Sequence, residues 1–95
     1  MDLSPGQLKM ITGILAVHVP SCEVRAFGSR ANGKAEKFSD LDIVIMSETS
    51  VPSAKMTSLR DAFSESNLPF RVDVLDWSSV GGEFRNIISR KYEAL

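Results

Sequence analysis

Gly28 and Ser29 are followed, after ten residues, by Asp40-Leu41-Asp42 and then by the apolar run Ile43-Val44-Ile45-Met46. A strand projects residues i and i+2 from one face. Asp40 and Asp42 therefore stand side by side at the mouth of a strand that is otherwise buried. Two carboxylates that close repel, and one tends to hold its proton unless a cation sits between them. Mg²⁺ suits that position, because it binds through one or two carboxylates together with substrate phosphates. Gly28 supplies a turn where backbone can approach phosphate; Ser29 adds a hydroxyl donor, and nearby amides can form an anion nest. The chemistry implied is metal-assisted group transfer from a nucleoside triphosphate. It requires the triphosphate held, its charge neutralised and the attacking oxygen aligned.

A two-metal site has ions about 3.5–4 Å apart and wants a third carboxylate. Asp73 is the candidate, a mid-strand acid between Val72 and Val74. A carboxylate among apolar neighbours is costly unless paired or metal-bound. If its strand lies beside that of Asp42, Asp73 faces the same side and activates the attacking hydroxyl, through metal coordination or as a general base.

These acids need a sheet, and the chain supplies elements in the order α-β-β-α-β-α. Ser4, Pro5 and Gln7 form a capping box with proline at the first helical position. Leu8, Ile11 and Leu15 then repeat at helical spacing until Pro20. A strand follows at 23–27, with Val24 and Ala26 on one face. Residues 28–40 read as a loop. The strand at 41–46 is apolar on both faces, which places it centrally in its sheet. A helix over about 54–65 carries Met56, Leu59 and Phe63; a third strand covers 71–76. A last helix over about 83–94 carries Phe84, Ile87 and Ile88, with Tyr92 and Leu95 extending its stripe. The fold class is α/β, a small mixed sheet with packed helices, expected as a single domain over residues 1–95.

Composition bounds the function. Net charge is −1 over 95 residues, so the whole chain makes no electrostatic case for direct nucleic-acid binding. No apolar stretch approaches the ~20 residues needed to span a bilayer. The N-terminus lacks a signal pattern. One cysteine, Cys22, excludes an internal disulfide; it reads as core filler and fits a cytoplasmic location.

The spacing Gly28-Ser29-x10-Asp40-x-Asp42, with Asp73 in RVDVLDW, resembles the polymerase-beta-like nucleotidyltransferase superfamily. The short length and the closing LDW…EFRNII segment look most like its minimal nucleotidyltransferases. The resemblance runs from the first strand to the last helix. It implies a mixed-sheet palm core that uses Mg²⁺, two ions at the site, and ATP as nucleotide donor. Ser29 would contact the triphosphate alongside Gly28, and Asp40, Asp42 and Asp73 would be the catalytic, metal-binding acids. Many such proteins are encoded beside HEPN-domain partners. The resemblance therefore implies an antitoxin that joins a HEPN ribonuclease toxin in a hetero-oligomer, transfers AMP to a tyrosine hydroxyl on it and silences it. Larger relatives append a domain that holds the acceptor; a core this short is expected to receive its acceptor from a docked partner. Two alternatives stand beside this: a non-catalytic module that neutralises its partner by occlusion, and transfer to a small molecule or an RNA end.

Other residues receive plainer readings. Gly28-x4-Gly33-Lys34 nearly spells a Walker A loop, but position 35 is Ala and the segment leads to a strand, not a helix. Gly33 is then a loop turn. Arg30, Lys34 and Lys37 read as a solvated loop face, His18 as a helix C-terminal residue, and Asp76 as a turn or cap acid. Trp77 and Phe84 read as core, with Trp77 or Tyr92 at a partner interface as the alternative; Met10, Met46 and Met56 read as filler.

Overall fold

The computed structural model describes residues 1–36 and 38–95. Helix α1 spans Pro5–His18 and starts as its sequence dictates. The Ser4 hydroxyl accepts from the Gln7 amide at 3.1 Å, while the Gln7 side chain accepts from the Ser4 amide at 2.9 Å. Reciprocal bonds of this kind satisfy two otherwise orphaned donors. The chain continues through β1 (Glu23–Phe27), the one-turn helix α2 (Gly28–Ala31) and β2 (Leu41–Met46). Helix α3 (Ser53–Ser64), β3 (Val72–Asp76), a 3₁₀ turn at Trp77–Ser79, α4 (Gly82–Arg90) and β4 (Glu93–Ala94) complete it.

The strands form one mixed sheet in the order β3-β2-β1-β4. Strand β1 runs antiparallel to both β2 and β4, while β2 and β3 are parallel and joined by the α3 crossover. Strand β2 is interior, as its doubly apolar pattern required. Leu41, Ile43 and Ile45 are fully buried on the face covered by Ile11 and Leu15 of α1 and Met56, Leu59 and Phe63 of α3. Val44 lies on the other face, in a smaller core with Phe27 and Ile88 of α4. The site acids belong to this second, thinly covered face.

Four expectations are corrected. The last helix stops at Arg90 instead of reaching Ala94, because Glu93–Ala94 pair with β1. The Leu95 amide donates to the Val24 carbonyl at 2.9 Å, and Leu95 packs into the α1/α3 core, across the sheet from Ile88. A continued helix could not place both residues so. Residues 28–31 form a helical turn inside the expected loop. Leu8 is 36% exposed, and the α1 stripe is completed by Ile14 and by Leu3 before the cap. Phe84 is 42% exposed, not core, and meets buried Phe27 edge-on at 5.8 Å. Trp77 is half-buried against the second core. His18 bonds the Ile14 carbonyl through Nδ1 at 2.9 Å, at the end of α1 as expected. No helix among the described residues is long and apolar enough to cross a membrane.

Candidate active site

Asp42 is the residue around which the site is arranged. It is the second residue of β2, where it pairs with Phe27 on β1 and with Asp73 on β3. Residues directly opposite across paired strands project from the same face. Asp42 and Asp73 thus stand adjacent, and Asp40, two residues earlier, approaches from the end of the strand. The Asp73 assignment required β3 to lie beside β2; it does, in parallel.

The electrostatics follow. Burial pushes the Asp42 carboxyl above its ordinary value, and the neighbouring Asp73 and Asp40 charges push it further; Arg71 partly opposes them. Arg71 pairs with Asp40, Nη2 to Oδ2, at 3.1 Å, with side-chain exposures of 73% and 38%. Among the described residues, no three His, Cys, Asp or Glu side chains already converge as a metal cluster. The donor set nonetheless fits a hard divalent cation. It consists of carboxylate oxygens whose mutual repulsion is answered only by an exposed guanidinium.

Gly28 lies directly against this carboxylate. Its φ is +77°, a left-handed conformation that glycine adopts at no steric cost. A Cβ at position 28 would lie 2.6 Å from Asp42 Oδ2. The Gly28–Ser29 turn at the end of β1 therefore sits on the Asp42 carboxylate, with Ser29 exposed beside it. Gly33, at φ +72°, turns the following loop, and among the described residues no helix opens after Lys34, so the Walker A resemblance has no structural counterpart there.

Arg30 overturns its reading as part of a solvated loop face: it is 6% exposed. Its guanidinium donates to the carbonyls of Ser39 (2.9 Å), Asp2 (2.9 Å) and Glu36 (3.2 Å) and stacks 4.0 Å over the Phe70 ring. Asp2 returns the tie, donating its amide to the Arg30 carbonyl and accepting from the Ala35 amide through its carboxylate. This cross-link fixes the route from Ser29 to Asp40. Its only trace in the sequence is the arginine directly after Gly28-Ser29. Lys37 lies outside the described residues.

Asp76 stays out of the site. Burial would raise its carboxyl, but hydrogen bonds from the Val51 amide (2.7 Å) and from the Ser78 hydroxyl and amide outweigh that and lower it. It caps the 3₁₀ turn after β3. Arg71, which engages Asp40, carried no sequence signal.

Comparison with known proteins adds four findings. The family model for polymerase beta nucleotidyltransferases matches residues 11–94. A probable protein adenylyltransferase of Haemophilus influenzae, MntA, is 46% identical over 92 residues, covering 97% of this chain and 81% of that relative. The fold is similar to a toxin–antitoxin solved with AMP-PNP (TM-score 0.76, 21% identity, 90% of this chain and 69% of that one). It is also similar to a tyrosine-to-alanine mutant of the MntA–HpeT toxin–antitoxin (TM-score 0.75, 21% identity, 93% and 70%).

Proposed function

This chain belongs to the polymerase beta nucleotidyltransferase family, and on that premise we propose that it transfers AMP from ATP to a protein hydroxyl. The acceptor in this reading is a tyrosine of a HEPN-domain ribonuclease toxin, and the chain acts as its antitoxin in a hetero-oligomer. The observation that carries the reading is the junction of Gly28, Asp42 and Asp73: a phosphate-approachable turn seated on one carboxylate, with a second in register beside it. The relative named as a protein adenylyltransferase and the fold shared with toxin–antitoxin assemblies support it.

Asp40, Asp42 and Asp73 would hold Mg²⁺, which when bound neutralises the triphosphate and polarises the α-phosphate. The chain's own residues do the rest. Gly28 leaves backbone room for the β- and γ-phosphates, and the Ser29 hydroxyl donates to them. Asp73, the most exposed of the acids, meets the incoming acceptor and takes its proton. The acceptor oxygen forms a bond to the α-phosphorus, the bond from that phosphorus to the bridging oxygen breaks, and pyrophosphate leaves. Arg30 holds the loop that keeps Asp40 and Ser29 together.

The test uses ATP labelled on the α-phosphate, Mg²⁺, the purified chain and an extract of its source, resolved on a denaturing gel. A labelled protein band is expected with the wild type and absent with Asp42→Asn. Equal labelling by the folded Asp42→Asn variant sinks the assignment of Asp42.

A further inference from the structure

We propose that the open edge of β3 is the docking strand for the acceptor. An extended polypeptide segment pairs along it and delivers its hydroxyl to Asp73. This rests on the reading of the chain as a transferase acting on a protein hydroxyl.

Strand β3 is at the margin of the sheet, bonded to β2 alone among the described strands. The Arg71 carbonyl accepts from the Leu41 amide at 2.9 Å, so residue 71 addresses β2. Successive residues of a parallel pair alternate in direction, so Asp73 and Leu75 also address β2 while Val72 and Val74 turn their backbone groups outward. The Val74 carbonyl bears this out, accepting from Arg60 Nη2 of α3 at 2.9 Å. Exposed edges are usually blunted by charged side chains, lysine above all, by proline, by a bulge or by a covering helix or loop. Strand β3, Val-Asp-Val-Leu-Asp, includes neither lysine nor proline, and of its outward backbone groups Arg60 of α3 engages the Val74 carbonyl, a bond that a docking strand would displace.

A groove of about 420 Å³ runs beside this edge. Phe63, Leu68 and Phe70 line its apolar side, Arg60 and Arg71 bring two guanidinium groups, and Asp73 is its one acid. That composition defines the occupant. A strand added to β3 projects alternate side chains to opposite faces. One set enters the apolar groove; the other rises on the face of Asp73, about 4.5–5.5 Å from its cross-strand neighbour. The acceptor segment therefore alternates apolar residues with its hydroxyl-bearing residue, and carries acidic flanks to meet Arg60 and Arg71. Such strand addition takes affinity from the backbone and specificity from alternate side chains.

The test titrates the full ¹⁵N-labelled chain with the blocked peptide Ac-Thr-Glu-Val-Tyr-Val-Glu-Thr-NH₂ and with its counterpart carrying lysine for glutamate. The acidic peptide is expected to slow exchange of the Val72 and Val74 amides and to bind at least several-fold more tightly than the lysine peptide. Val72→Pro, which removes one outward N–H at the first residue of the strand, where proline is tolerated, should weaken binding about tenfold. Arg60→Glu, on an exposed helical position, should do likewise and guards against misfolding of the proline variant. The same variants are then run in the ATP-labelling assay with source extract. Unmoved Val72 and Val74 amides, together with a labelled band of wild-type intensity in both variants, overturn the proposal. So does self-association that Val72→Pro abolishes, which would give the edge to a second copy of the chain. Peptide docking on β3 without any label, by contrast, places the failure in the transferase reading and leaves the edge as a peptide-binding strand.

Discussion

Asp42 Oδ2 occupies the space in which a side chain at position 28 would begin: a Cβ there would fall 2.6 Å from it. Gly28 also has φ +77°, so two independent constraints exclude any larger residue. Gly28→Ala incurs left-handed strain of about 1–2 kcal/mol and displaces the carboxylate. A misplacement near 1 Å can cost about 100-fold in rate. We expect a modestly destabilised, folded protein with at least that loss of AMP transfer. Chemical denaturation and the α-labelled ATP assay measure the two effects; wild-type transfer by the alanine variant would refute the contact.

Arg30 is a buried fork bonded to three carbonyls and stacked on Phe70. Lysine keeps the charge but not the planar fork. Arg30→Lys should lose about 2 kcal/mol of stability and open residues 32–36 to limited proteolysis at temperatures where the wild type resists. Unchanged stability would return Arg30 to the solvated loop face that its sequence context suggested.

Much of the geometry of the candidate site was legible because it rests on local rules. Strand alternation places Asp40 and Asp42 on one face, and the doubly apolar Ile43–Met46 run makes β2 interior. What stayed hidden is long-range. Strand β4 exists because β1 has an edge to fill and Leu95 a core to reach, neither of which a residue's neighbours reveal. The burial of Arg30 depends on Asp2, 28 positions away. The Arg71–Asp40 pair spans 31 positions and forms only because β3 lies beside β2. Phe84 follows the helical stripe faithfully, yet the smaller core behind α4 is too small to cover it.

Arg71 neutralises part of the charge a divalent cation would neutralise at Asp40. The pair is exposed, so its worth is about 0.2–1 kcal/mol. Arg71→Gln removes the competing charge and should tighten Mn²⁺ binding up to about fivefold, read by electron paramagnetic resonance of the free ion without any turnover. Weaker Mn²⁺ binding in this variant would show that Arg71 organises Asp40 for the ion instead of competing with it.

Asp42 should make the metal-free fold less stable as pH rises. Its folded pKa lies above the ordinary 3.8, because of burial and the charges of Asp73 and Asp40. The folded chain therefore holds this proton more tightly than the unfolded one. The group's contribution is fully favourable below the unfolded value and is lost as pH rises through the folded one. At pH 7 without divalent ions, Asp42→Asn should accordingly be more stable than the wild type, by about 0.5 kcal/mol, the scale of relieving like charges across paired strands. That advantage should vanish below pH 3.8. Millimolar Mg²⁺ should reverse the order at pH 7, since a ligand that binds only the native wild type raises its stability by mass action. Thermal melts of both proteins at two pH values, with and without Mg²⁺, decide it. An asparagine variant already less stable at pH 7 without metal would mean that Asp42 is held by contacts other than those seen. Wild-type melting indifferent to Mg²⁺ would remove the divalent ion from this site.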